Sequence, residues 1–366
     1  MPIESRSLTV SGGFVRASSQ AASGFELEAS LGSVPPSEAL PPPGWRLAIK
    51  NAVRDSTTLC RILELDPVSC GVSAAAARQF PVFAPWEFIG RMKTGDPLDP
   101  LLRQVLTIAD EDHNPPGFAE DPVGDNSATL SPGLIRKYRS RALLITTGAC
   151  AIHCRYCFRR HFPYALAPKS VDDWQPALDQ IGADREIDEV ILSGGDPLTL
   201  VDDTLAELAE RIARIDHVQR LRIHTRLPIV IPQRVTSELL AWLRGTRLAT
   251  LVVVHANHPQ EIDEAVAQAL TRLVDSGVPV LNQAVLLRGV NDAIDPLVEL
   301  SRKLVNLRVM PYYLHQLDRV RGAAHFEVPV HRGLDLIDEM RLHLPGYAVP
   351  RLVHEVAGEG SKVVLR

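Results

Sequence analysis

From Leu143 onward the chain repeats one pattern, a short apolar run followed by an amphipathic segment of helical length. The runs "ALLITT", "EVILSG", "RLRIHT", "LATLVVVHA", "VPVLNQAVLL", "RVMPYYL" and "YAVPRLVHEV" read as strands. Segments such as "DDTLAELAERIARI", "TSELLAWLR", "PQEIDEAVAQALTRLVDSG" and "PLVELSRKLV" read as the helices between them. That alternation is the signature of βα units and a parallel sheet. About six units and a closing strand predict an α/β fold, an incomplete (β/α)6 barrel over residues 142–366, with functional groups at the C-terminal strand ends. The cysteine-rich loop, "SGGDP", "HTR", "HANH" and "HQLD" each follow a strand directly, as that fold requires. Upstream, residues 46–141 carry short helical spacings broken by "ELDP", "KTGDPLDP" and "NPPGFAEDP", a mainly helical lead-in. Residues 1–45 are rich in Pro, Ser and Ala and read as a flexible tail.

Of 366 residues, 45% are hydrophobic and 23% charged, with a formal charge of -5, values that give no reason to expect a nucleic-acid partner. No run approaches the roughly 18 apolar residues of a membrane span, and no secretory signal opens the chain, so the expected location is the cytoplasm. Thiols stay reduced there, which makes clustered cysteines a metal or redox site before a disulfide framework. Cys60 and Cys70 stand far from the cluster and read as packed or idle thiols.

The cluster itself is "TTGACAIHCRYCFRRHF", in which Cys150, Cys154 and Cys157 form C-x3-C-x2-C directly after a strand. Thiolates are soft ligands suited to zinc or to iron-sulfur clusters, and a 4Fe-4S cubane ordinarily takes four. Two readings stand side by side. In one, His161 completes a tetrahedral zinc site of an interaction or RNA-binding module, with "FRRHF" as its contact surface. In the other, three ligands leave one iron open to bind and activate a small molecule.

C-x3-C-x2-C with an aromatic residue before the last cysteine resembles the signature of the radical S-adenosylmethionine (SAM) superfamily, and "SGGDP" resembles its glycine-rich SAM-binding strand end. "GACAIHCRYCFRRHFPYA", "SGGDPL", "RLRIHTRLPIVIPQR", "VLLRGVND", "MPYYLHQLDRVRGAAHF" and "GYAVPRLVHEVAGEGSK" together resemble the lysine 2,3-aminomutase family, from about Gly90 to the C-terminus. Within it the chain is most similar to the bacterial branch that makes (R)-β-lysine for elongation factor P. The four residues after Lys362, where catabolic members carry a long extension, fit that branch.

The resemblance implies an isomerase, an intramolecular aminotransferase of EC 5.4.3.-, that uses a SAM-ligated 4Fe-4S cluster and pyridoxal 5'-phosphate (PLP) to convert L-lysine to β-lysine. Breaking an unactivated C–H bond is beyond any side-chain base, which is why a radical is needed. By residue, it implies Cys150, Cys154 and Cys157 as cluster ligands. It places SAM on Ser193, Gly194, Gly195 and Asp196, with His255 and Gln283 lining the same site. The PLP phosphate falls to Lys137, Tyr138 and Arg141, where an ordinary reading is a basic helix end. Lys362 in "GEGSK" aligns with the PLP-binding lysine. Arg159 aligns with the reader of the substrate α-carboxylate, and Asp318 and Glu355 with the acids facing the ε-ammonium; Glu355 and His315 stand where catabolic members have Asp and Tyr. An external electron donor and a ligase that modifies elongation factor P are the implied partners, and oligomerisation is left open. An aminomutase for another amino acid, such as arginine, is the nearest rival. Two acids at the ε-ammonium position would repel the distal carboxylate of glutamate.

Overall fold

The computed structural model describes residues 44–366; the expected tail lies outside them except for Gly44 and Trp45. One sheet runs in chain order through β1 (Thr129–Ser131), β2 (Leu134–Tyr138), β3 (Arg141–Thr147), β4 (Glu189–Gly194), β5 (Arg220–Thr225), β6 (Ala249–Val254), β7 (Val280–Val285), β8 (Met310–His315), β9 (Arg351–His354) and β10 (Val363–Val364). Strands β3 to β9 pair in parallel. They are the seven runs read from the sequence. β1 and β2 add antiparallel before β3, and β10 adds antiparallel after β9. Among the described residues β1 and β10 do not pair with each other, so the barrel stays open.

Burial along each strand sorts side chains between the helices and the interior. β5 alternates strictly: Leu221, Ile223 and Thr225 are buried, while Arg222 and His224 face the concave side. The covering helices supply matching stripes. Helix Asp202–Ala213 buries Leu205, Leu208, Ala209 and Ile212, the spacing of one face of a 3.6-residue period. Helix Glu264–Asp275 starts where Asp263 accepts a hydrogen bond from the Val266 N–H and buries Val266, Ala269, Leu270 and Leu273. Leu208 is completely buried; truncation to Ala there should cost about 2–5 kcal/mol.

The lead-in carries helices Trp45–Lys50, Ser56–Ile62, Ala74–Gln79, Trp86–Ile89 and Pro100–Arg103. Asp55, Ser73 and Asp99 cap three of them through their side chains. The basic segment "RKYRSR" is not a helix end. Lys137 and Tyr138 close β2, Arg141 opens β3, and Arg139 and Ser140 make the reversal between them, with Tyr138 opposite Arg141. A two-residue connection between antiparallel strands is a hairpin, and helix-end polarity plays no part in placing these cations.

Candidate active site

Apart from His161, every candidate residue named above for a cofactor, metal or substrate lines one cavity of about 280 Å³ toward the C-terminal ends of β3 to β9. Adjacent strand residues normally point to opposite faces, yet Lys137 and Tyr138 both reach this cavity. An irregularity in the β2–β3 register between Ile135 and Tyr138 turns the strand so that both can. A second, between Asn282 and Gln283 on β7, does the same for Tyr312 and Tyr313, whose rings stack 3.7 Å apart against the cavity.

Charge is distributed unevenly along the walls. Lys362, just before β10, pairs with Glu355 just after β9. Glu355 Oε1 accepts from the Tyr138 hydroxyl at 2.6 Å and lies 3.6 Å from Lys137 Nζ. Burial alone would raise the Glu355 carboxyl, but Lys362, Tyr138 and Lys137 together hold it below its usual range. Asp318 has the opposite fate. Burial pushes its carboxyl up to about 7, Lys362 only partly offsets that, and its Oδ1 is buried without a hydrogen-bond partner. An unsatisfied interior carboxyl aimed into a cavity is costly without a ligand and useful with a cationic one.

Arg159, 8% exposed, donates from Nε to Asp125 Oδ2 at 2.6 Å and from Nη1 to Ser193 Oγ at 3.1 Å. Asp125 Oδ1 sits 2.6 Å from Lys137 Nζ, so one buried carboxylate joins two of the expected anion readers. The Arg141 guanidinium stacks over the Tyr138 ring at 4.1 Å. Burial drives the His255 imidazole down to about 3, so it is neutral at pH 7. Gln283 Nε2 donates to His255 Nε2 at 3.0 Å, which leaves the ring proton on Nδ1.

Around the three cysteines the backbone is crowded. A Cβ on Gly195 would lie 2.2 Å from the Ala149 carbonyl oxygen and 2.9 Å from Cys150 Sγ. Gly194, at φ +130°, would bring a Cβ within 2.4 Å of the Thr147 carbonyl oxygen. The glycine pair therefore lets the end of β4 nest against the cysteine loop. Replacing Gly195 with Ala should push that loop away and cost the protein most of the iron it retains after anaerobic reconstitution, read by iron analysis. Asp196 braces the same region: its Oδ1 accepts from Leu198 N and Thr225 Oγ1, its Oδ2 from Arg226 N and Leu227 N, all at 2.7–3.1 Å. With both oxygens so occupied, its carboxylate ties the end of β4 to the end of β5.

Burial raises the Cys150 thiol well above its usual value and Cys157 to about 11. They would become thiolates only against a soft cationic group, which is the donor chemistry of an iron-sulfur cluster. Their proposed zinc partner is elsewhere. His161 Nε2 lies 3.2 Å from the Arg321 carbonyl oxygen, and the ring does not line the cavity. Among the described residues no set of three or more His, Cys, Asp or Glu side chains converges on a single ion. The three thiols thus fit a cluster with an open iron better than the four-ligand zinc site. Cys60 is completely buried in helix Ser56–Ile62, Cys70 packs against the main core, and neither lines the cavity. Replacing either with Ala should leave bound iron at the wild-type level; loss of iron would place it in the site.

Three contributors were not read from the sequence. Asp125 sits in a loop with no motif around it. Tyr164 donates its hydroxyl to the Gly194 carbonyl at 2.9 Å. Arg226, which follows β5 in "HTR", donates from Nη1 to Cys154 Sγ at 2.7 Å. Arg226 had a signal in its place directly after a strand, and Tyr164 in its place within the motif that holds the cysteines.

Comparison with known proteins gives consistent matches. The radical SAM superfamily profile matches residues 144–300. The chain is 46% identical over 322 residues to the L-lysine 2,3-aminomutase of Escherichia coli, covering 88% of this chain and 94% of that one. It is 45% identical over 320 residues to the enzyme of the same name from Haemophilus influenzae, covering 87% and 95%. To that of Clostridium subterminale it is 36% identical over 324 residues, covering 87% and 76%.

Proposed function

Since this chain belongs to the L-lysine 2,3-aminomutase family of radical SAM enzymes, we propose that it converts free L-lysine to (R)-β-lysine in the cytoplasm, for a ligase that modifies elongation factor P. The observation that carries this reading is the single cavity that joins three unpaired thiols at one wall to Lys362, Glu355 and Asp318 at another. Its cofactors are a 4Fe-4S cluster, SAM and PLP. Bound there, the cluster and SAM would supply the one-electron chemistry that removes hydrogen from an unactivated carbon, and PLP would supply the unsaturated carbon across which the amino group migrates.

The residues of the chain do the rest. Cys150, Cys154 and Cys157 would hold three of the cluster's irons. Gly194 and Gly195 keep the cluster loop against β4, and neutral His255, fixed by Gln283, lines the SAM side without adding a charge. Lys137 and Arg141 supply positive charge for the PLP phosphate, and the Tyr138 hydroxyl stands between them and Glu355. Lys362 would hold PLP through its amine, and Glu355, which pairs with that amine, would face the substrate ε-ammonium together with Asp318. Arg159 takes the α-carboxylate, held in place by Asp125 and Ser193. A cavity that offers Arg159 to the α-carboxylate and two acids, Asp318 and Glu355, to the ε-ammonium suits lysine, a zwitterion with one further positive charge.

Anaerobic incubation of the reconstituted enzyme with L-lysine, SAM, PLP and a reductant, followed by chiral product analysis, tests the reading. (R)-β-Lysine is the expected product. The S enantiomer would remove the link to elongation factor P, and turnover of L-arginine but not L-lysine would replace the substrate.

A further inference from the structure

Arg226 is 5% exposed, and its guanidinium is held from several sides. Nη2 donates to Gln104 Oε1 at 2.6 Å and to Glu261 Oε2 at 2.9 Å. Gln104 in turn donates to Glu261 Oε1 at 3.1 Å, and both residues are completely buried. The guanidinium carbon lies 5.4 Å from the centre of the Phe88 ring and 5.7 Å from that of Tyr156. Its backbone N–H is bound by Asp196 at 2.7 Å. The remaining arm, Nη1, is thereby aimed at Cys154 Sγ, 2.7 Å away.

A guanidinium has donors only, so the sulfur must be the acceptor. We propose that Arg226 is a positioning residue that hydrogen-bonds the Cys154 ligand and sets the reduction potential of the cluster, favouring its reduced state. The proposal rests on the cluster assignment above. Its sign follows from electrostatics: reduction adds one negative charge, a cationic donor on a ligand sulfur stabilises that charge, and burial strengthens the effect. Glu261 does not cancel it, because the carboxylate binds Nη2 while Nη1 faces the sulfur. The positive end of the pair is therefore the nearer. Hydrogen bonds from beyond the ligands tune metal sites in this way.

The test is a spectroelectrochemical titration of the anaerobically reconstituted enzyme, without lysine, on wild type, Arg226→Lys and the double variant Arg226→Met with Glu261→Gln. The double change removes cation and anion together, so that no lone charge is left in the interior. The expected order of potentials is wild type highest, Arg226→Lys lower, and the neutral variant lowest. Against wild type, the neutral variant should be at least tenfold harder to reduce at a given potential, which is about 59 mV for a one-electron couple. A wild-type potential in either iron-loaded variant overturns the proposal. Loss of iron from both variants in folded protein also overturns it, since Arg226 would then be only a brace for the loop. If wild type itself carries no iron-sulfur cluster, the functional reading fails instead.

Discussion

Lys362→Ala should abolish the visible absorbance of enzyme-bound PLP and lower turnover by about a thousandfold or more, leaving iron content and SAM binding at wild-type levels. The separation is expected because Lys362 lies just before β10 and pairs with Glu355 just after β9, while Cys150, Cys154 and Cys157 lie in the loop after β3. Another cation could replace the charge of Lys362 but not a covalent bond to PLP. Lys362→Arg should therefore keep Glu355 paired and yet remain as inactive as the Ala variant. Glu355 retains the Tyr138 hydroxyl and Lys137 in both, so no isolated carboxylate is left to unfold the site. An unchanged PLP absorbance would move the attachment point to another amine, and Lys137, already within 2.6 Å of Asp125, would be the next to test.

Asp318→Asn should raise KM for lysine by about 30- to 1,000-fold, equivalent to about 2–4 kcal/mol for a buried charge-assisted contact. SAM affinity should change little. Equal losses for lysine and SAM would make Asp318 a structural residue. The pH profile gives a sharper reading. Because burial raises the Asp318 carboxyl to about 7, it is protonated in the free enzyme below that pH and ionised above it. A protonated acid has no charge to offer an ammonium group, so kcat/KM for lysine should fall as pH drops through about 7. In Asp318→Asn that limb of the profile should be absent. Glu355, held below its usual range by Lys362 and its neighbours, should not contribute a limb there.

The barrel strands were legible because helices on one face and a cavity on the other impose a period that survives without any contact information. "RLRIHT" shows this well, with Leu221 and Ile223 turned to the helices and Arg222 and His224 to the cavity. The β1–β2 hairpin was not legible. Its strands are short and partly exposed, Thr129–Ser131 being mostly surface, so no apolar alternation marks them. Motif positions such as Cys150, Lys362 and Arg159 do converge on one space, though Lys137 and Arg159, the two expected anion readers, meet through Asp125, which has no local pattern of its own. Asp196 could be placed next to a cofactor by its motif. That its oxygens are spent on four donors from two strand ends is a three-dimensional fact that linear spacing does not carry. The same holds for the ring of His161, which spacing allowed as a fourth ligand and which points toward Arg321.

The unjoined edges of the sheet have a consequence for what the interior can contain. Closed eight-stranded barrels are small enough for inward side chains to fill them in stacked tiers. A crescent of seven parallel strands, with β1–β2 added at one edge and β10 at the other, has no backbone ladder across its gap; side chains span it instead, Tyr138 and Lys137 of β2 reaching Glu355 beside β10. A gap closed by side chains can part without breaking a strand ladder, so the interior stays open to molecules that a ring sealed by backbone hydrogen bonds would shut out.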